Sequence, residues 1–309
     1  MKSENMRGAS GNPKRLVLEN ETLRVLLLPE VGFKIASVFY KPRSFEAVFQ
    51  PSNPEGKPLD EMYRTAFPGA SFEHYDTSGI DDCIPTIDAA WLEECQVELN
   101  DHGDTWSASW VVAEDAGEDE TAAEASVQLA SLPLRLTRRV SLEENVVRLS
   151  YELLNTGSVR VPWMWTLHDL LRYEPDAQLD LPQPFIVTDV QRGETWDFDI
   201  RRMDEVPENA TYKFYYDHPV KDGVASIRYP SQGMLTRLLY DGARFPYLGV
   251  WMTTGGFKNE RNIALEPSNG FYDSLPRALS NQTGEWLDPG EVTRWSVRLA
   301  FQESEVWDD

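Results

Sequence analysis

Three consecutive runs decide the fold: ASVQLASL (Ala125–Leu132), LRLTRRVSL (Leu134–Leu142) and NVVRLSYELLN (Asn145–Asn155). They are eight, nine and eleven residues of apolar or alternating character, and turn residues separate them. In the third run Val147, Leu149, Tyr151 and Leu153 alternate with polar or smaller neighbours. Successive side chains of a strand point to opposite faces, so this spacing reads as a half-buried strand. The three runs together read as an antiparallel meander. Outward from it the style persists. LRVLLLP (Leu23–Pro29) and KIASVFY (Lys34–Tyr40) flank Glu30-Val31-Gly32 as a hairpin. TRWSVRLAF (Thr293–Phe301) follows Leu287-Asp288-Pro289-Gly290-Glu291, where Pro presets φ and Gly accepts a positive one. No long stretch carries a helical apolar stripe. Many short strands at regular spacing predict an all-β chain, a large antiparallel β-sandwich in one domain over residues 1–309. Residues 1–14 read as a loose N-terminal extension, 51–58 as a proline-rich loop and 115–124 as an acidic hairpin tip.

Of the 309 residues, 29 are Lys or Arg and 51 are Asp or Glu, a formal charge of −22. A phosphate-binding surface needs clustered cations, so a nucleic-acid partner is not expected. No apolar run reaches the roughly 18 residues of a membrane span, and no signal peptide opens the chain. A cytoplasmic protein, monomer or homodimer, is expected. Its two cysteines, Cys83 and Cys95, read as reduced thiols or as at most one disulfide.

Four histidines are present: His74, His102, His168 and His218. His102 lies in Asp101-His102-Gly103-Asp104-Thr105-Trp106, a turn leading toward a strand with Trp110. His168 stands in the aromatic stretch VPWMWTLHDLLRY; its bland alternative is a core histidine bonded to a carbonyl. Glu266, in NIALEPSNGFYD, precedes a proline that ends strand pairing. It is either a solvated rim residue or, in a pocket, a carboxylate whose desolvation suits it to general-base work. Spacings for zinc, an EF-hand, a P-loop, a dinucleotide fold or a serine nucleophile are missing. No metal and no cofactor is expected.

Taken in order, these segments resemble the aldose 1-epimerase (galactose mutarotase-like) superfamily. GIDDCIPTI (Gly79–Ile87) is similar to a DECfPT segment of one branch, and DHGDTWSASWVV (Asp101–Val112) to its DHG-and-Trp motif. TLHDLLRY stands where the family has its second histidine, IALEPSNGFYD where it has an EP strand, and LDPGEVTRWSVRLAF where it ends. The resemblance spans about Leu16 to Phe301 and implies the family's β-supersandwich. It implies anomer interconversion through ring opening, with Glu266 as base, His168 as acid and His102 on the ring oxygen or a neighbouring hydroxyl. Trp165 or Trp106 would stack on the sugar, and Asp82 and Asp169 would take hydroxyl bonds. The phosphohexose branch carries an Arg after its HG motif. Here Asp104, Thr105 and Trp106 follow, so a neutral aldose is the expected partner. Two other classes stand beside it: a non-catalytic sugar-binding or regulatory protein on the same scaffold, and a polysaccharide hydrolase or lyase, for which Asp169 with Glu266 would be the carboxylate pair.

Overall fold

The computed structural model describes residues 15–304 apart from 53–55, 58, 115–118, 192 and 194. The loose extension expected over 1–14 lies outside the described residues, as do parts of the 51–58 loop and the 115–124 tip. Two antiparallel sheets carry the chain. The path through the ten-stranded sheet runs Leu16–Glu19, Leu23–Leu28, Lys34–Tyr40, Ile80–Cys83, Thr166–Arg172, Arg261–Ser268, Tyr247–Thr254, Thr211–Tyr216 and Val187–Asp189, with Phe45–Glu46 beside the third. The eight-stranded sheet runs Gln178–Asp180, Val224–Tyr229, Met234–Leu239, Val292–Glu303, Val146–Asn155, Leu134–Glu143, Ala122–Gln128 and Val111–Val112.

The meander forms as the alternation requires. Leu136 is opposite both Val127 and Leu153, and Val147, Leu149, Tyr151 and Leu153 are all buried. Inward-facing residues of both sheets meet in one contiguous apolar cluster, in which Leu134, Leu136 and Val140 join Leu27, Ile35 and Leu167. Hydrophobic burial at about 25 cal/mol per Å² of apolar surface is what holds the two layers together. The terminal strand Val292–Glu303 closes the sheet by pairing with both Val146–Asn155 and Met234–Leu239. The first hairpin also forms, with a register shift between Leu26 and Leu27. Its turn needs Gly32: φ is +69°, and a Cβ there would lie 2.7 Å from the Trp106 backbone. The longest described helix, Leu275–Ser280, has proline in its first turn. No helix among the described residues is long and apolar enough to cross a membrane.

One inward position breaks the apolar alternation. Arg138 on Leu134–Glu143 is fully buried and pairs with Asp82 at 2.6 Å. It also donates to the Phe33 carbonyl and lies over the Phe33 and Trp110 rings at 4.8 and 5.3 Å. Trp165 Nε1 donates to the other Asp82 oxygen at 2.8 Å. A polar knot thus ties the two sheets inside the core.

Candidate active site

Two adjacent strands of the ten-stranded sheet supply the central pair. Thr166–Arg172 pairs with Arg261–Ser268 through Thr166 opposite Ser268 and Leu170 opposite Ala264. That register sets His168 opposite Glu266. Pro267 has no N–H to give, and the Leu265 N–H bonds instead to the Asp169 carboxylate, at 2.8 Å. His168 and Glu266 side chains leave the sheet on the face away from the core. Nε2 of His168 lies 4.0 Å from Oε1 of Glu266.

The next strands extend this face. Gly249 is opposite Glu266, and Tyr215 is opposite Gly249. A Cβ on Gly249 would come within 2.7 Å of the Tyr215 ring, so glycine lets that ring lie across the strand. The Tyr215 hydroxyl donates to Asp273 Oδ1 at 2.6 Å. Lys213, two residues earlier on the same face, contacts Glu266 Oε2. Its Nζ is 3.5 Å from Asp273 Oδ1.

His102 enters from a loop. Its φ is +56° and that of Gly103 is +76°, two successive left-handed residues. A Cβ at Gly103 would fall 2.2 Å from the Ile84 carbonyl oxygen, so the HG pair is a packing requirement. Such a conformation costs a non-glycine residue roughly 1–3 kcal/mol and is found at sites where placement matters. Here the His102 N–H donates to the Ile87 carbonyl at 2.6 Å. The His102 ring is then fixed on three sides. Nδ1 bonds Asp101 Oδ1 at 2.8 Å. Phe72 stacks on it at 4.2 Å, and the His168 ring stands edge-on at 5.2 Å.

Asp101, His102, His168, Lys213, Glu266 and Asp273 line one cavity of about 550 Å³. Its wall includes Phe72, Trp251, Phe257 and Tyr272 as apolar surface. Carboxylates outnumber cations: Glu73, Asp88, Asp101, Glu260, Glu266 and Asp273 stand against Lys213 and Arg277. Burial holds His168 well below the ordinary histidine pKa, helped by the positive charge of neighbouring groups, so its ring is neutral. Burial raises the Glu266 carboxyl above its ordinary value, and the Lys213 ammonium opposes the rise. For Lys213 burial works against the charge, but Asp273 and Glu266 outweigh it and the amine stays protonated. Burial also raises Asp101, yet its bonds from His102 and the Phe72 amide bring it below the usual range.

The structure therefore brings His102, His168 and Glu266 to one cavity and leaves the other four expected contacts off its wall. Asp82 and Trp165 are bonded to each other and to Arg138 inside the core, where no sugar reaches. Asp169 projects from the opposite face of its strand to His168 and takes the Leu265 amide; burial holds its carboxyl well above the ordinary value. This removes Asp169 with Glu266 as a glycosidase pair. Trp106 packs edge-on to Phe72 and donates to the Asp101 carbonyl, which places it behind the histidine loop. Cys83 and Cys95 are free thiols, the first buried.

Several cavity groups escaped the sequence reading. Asp101 was legible as the neighbour of His102. Lys213 had a weaker signal, a lone cation in the aromatic alternation TYKFYY. Trp251 and Arg277 had none, because only the folded chain brings them to the cavity.

No protein-family model and no curated protein matches the sequence. Solved structures do match the fold. The chain is similar to the Slr1438 protein from Synechocystis, with a TM-score of 0.72 and 15% identity over 98% of both chains. It is similar to a galactose mutarotase-like protein from Lactobacillus casei, at TM-score 0.68 and 15% identity, over 93% of this chain and 100% of that one. An aldose epimerase homologue from C. elegans gives TM-score 0.63 and 12% identity, over 94% and 99%. The fold is thus that of the galactose mutarotase-like proteins, an antiparallel β-supersandwich.

Proposed function

We propose that this protein is a carbohydrate epimerase of the aldose 1-epimerase type, acting on a neutral aldose. One observation carries the reading: a buried carboxylate and a buried neutral imidazole face each other at 4.0 Å across a cavity, with a second, rigidly held imidazole beside them. Interconverting anomers means opening a hemiacetal. A base takes the proton of the anomeric hydroxyl while a donor hydrogen-bonds and then protonates the ring oxygen. Rotation about C1–C2 and reclosure on the other face run the steps in reverse.

Glu266 is the base. Its Oε2 is engaged by Lys213, while Oε1 is buried with no hydrogen-bond partner among the described residues. A buried acceptor left unpaired costs about 1–3 kcal/mol, which a substrate hydroxyl would relieve. His168 is the acid: burial leaves it neutral in the free protein, so it takes up a proton as the sugar binds and returns to neutral imidazole when that proton passes to the ring oxygen. His102, oriented by Asp101, holds the ring oxygen or the adjoining hydroxyl. Positioned acid and base groups contribute about 10²–10⁴-fold. Trp251 and Phe257 offer the apolar surface that the C–H face of a sugar stacks on. The carboxylate excess on the wall favours an uncharged substrate over an anionic one. The chain needs no redox or electrophilic partner for this chemistry.

The test is anomer exchange by NMR saturation transfer on a panel of neutral aldoses, with wild type beside Glu266→Gln. Exchange that vanishes in the variant, while sugar affinity stays within about tenfold, is the expected result. Binding without exchange in wild type would turn the reading to a sugar-recognition protein on this scaffold. Unchanged exchange in the variant would remove Glu266 from the base role.

A further inference from the structure

Lys213 has no place in the two-histidine, one-glutamate chemistry above, yet it is buried against Glu266. It rises from the central part of Thr211–Tyr216, opposite Trp251, and reaches over the sheet to Oε2. Asp273 binds its other side at 3.5 Å and is itself held by the Tyr215 hydroxyl. Asp273 is also fixed through its backbone: its φ is +51°, and its carbonyl accepts the N–H groups of Ile87 and Asp88. The cation therefore has one carboxylate pinned by the fold and one that faces the cavity.

The geometry points to Lys213 as the positioning residue of this site: it keeps Glu266 a carboxylate and turns Oε1 toward the substrate and His168. This rests on the epimerase reading only for its consequence on rate. The other titratable groups around Glu266, on either face of the sheet, cannot do the same work. Asp273, Asp169 from the neighbouring strand and Cys83 from Ile80–Cys83 disfavour a second negative charge. His168 is neutral and Tyr215 is committed to Asp273. His102 favours the carboxylate, but its own proton is shared with Asp101.

Carbon-13 titration of glutamate-labelled protein measures this directly, with Glu266→Gln identifying the signal. In Lys213→Met the Glu266 carboxyl should titrate more than one pH unit higher than in wild type, and Lys213→Arg should restore it to within half a unit. If the Met variant does not fold, Lys213→Gln supplies a neutral hydrogen-bonding replacement with the same expected shift. No shift in the neutral variant overturns the assignment. In exchange assays the acid limb of the kcat/KM profile should move upward by the same amount, with activity returning at high pH. A residue of merely structural importance would lower the rate at every pH and leave the limb in place. A shifted titration without exchange on any sugar would leave Lys213 in its role and refute the epimerase reading instead.

Discussion

Replacing Asp82 with alanine would strip a buried guanidinium of its carboxylate. Both side chains of the Asp82–Arg138 pair are wholly inaccessible. In Asp82→Ala, Arg138 keeps the Phe33 carbonyl and two aromatic faces but no counter-charge. Breaking a buried pair on one side costs about 3–5 kcal/mol. The indole N–H of Trp165, now unpaired, adds about 1–3 kcal/mol. Together that is about 4–8 kcal/mol against a total stability of about 5–15, so the variant should lose a large share of its stability at 25 °C. The double variant Asp82→Leu with Arg138→Met removes both charges and should recover to within about 2 kcal/mol of wild type. Urea unfolding followed by tryptophan fluorescence gives each value by linear extrapolation. A loss below about 1 kcal/mol in Asp82→Ala would refute the core-knot reasoning, as would a double variant no more stable than the single one.

Asp169→Asn should stabilise the protein at neutral pH. The buried carboxyl titrates well above its unfolded value, so between the two values the folded state holds a proton that the unfolded chain has released, and stability falls as pH rises from about 4 through that window. Asparagine keeps the acceptor for the Leu265 amide without the charge; its Tm should exceed wild type at pH 7 and the margin should close toward pH 4. A lower Tm at pH 7 would show that the site prefers the carboxylate. Trp251→Ala, which removes a half-buried ring from the cavity wall, should raise KM for the active sugar about tenfold with kcat little changed. An unaltered KM would place the sugar elsewhere in the cavity.

The sandwich was legible because strand periodicity is local. Val147 to Leu153 declares its inward face in four side chains, and the Leu134–Leu142 run needs only its neighbours to be read. The HG turn was legible for a related reason: a left-handed pair closing on the Ile84 backbone demands glycine at Gly103. What the sequence cannot display is which face a polar residue takes when both faces of its strand are covered. Asp81 and Asp82 are adjacent and equally acidic, but the period of two sends Asp82 inward to Arg138 and Asp81 outward to Lys34. His168 and Asp169 divide in the same way, one to the cavity and one to the Leu265 amide. The resemblance put Asp82 and Asp169 at the sugar site with His168, and the pleat turns both to the other face. The Lys213 contact lies further from reach, since it depends on the order in which Thr211–Tyr216, Tyr247–Thr254 and Arg261–Ser268 assemble across the sheet. Sequence order runs outward and back through these strands, so Lys213 and Glu266 become neighbours only after two ladders have formed. A site built across ladders is read from register, and the hydrophobic pattern that fixes the register does not carry the identity of the residues it brings together.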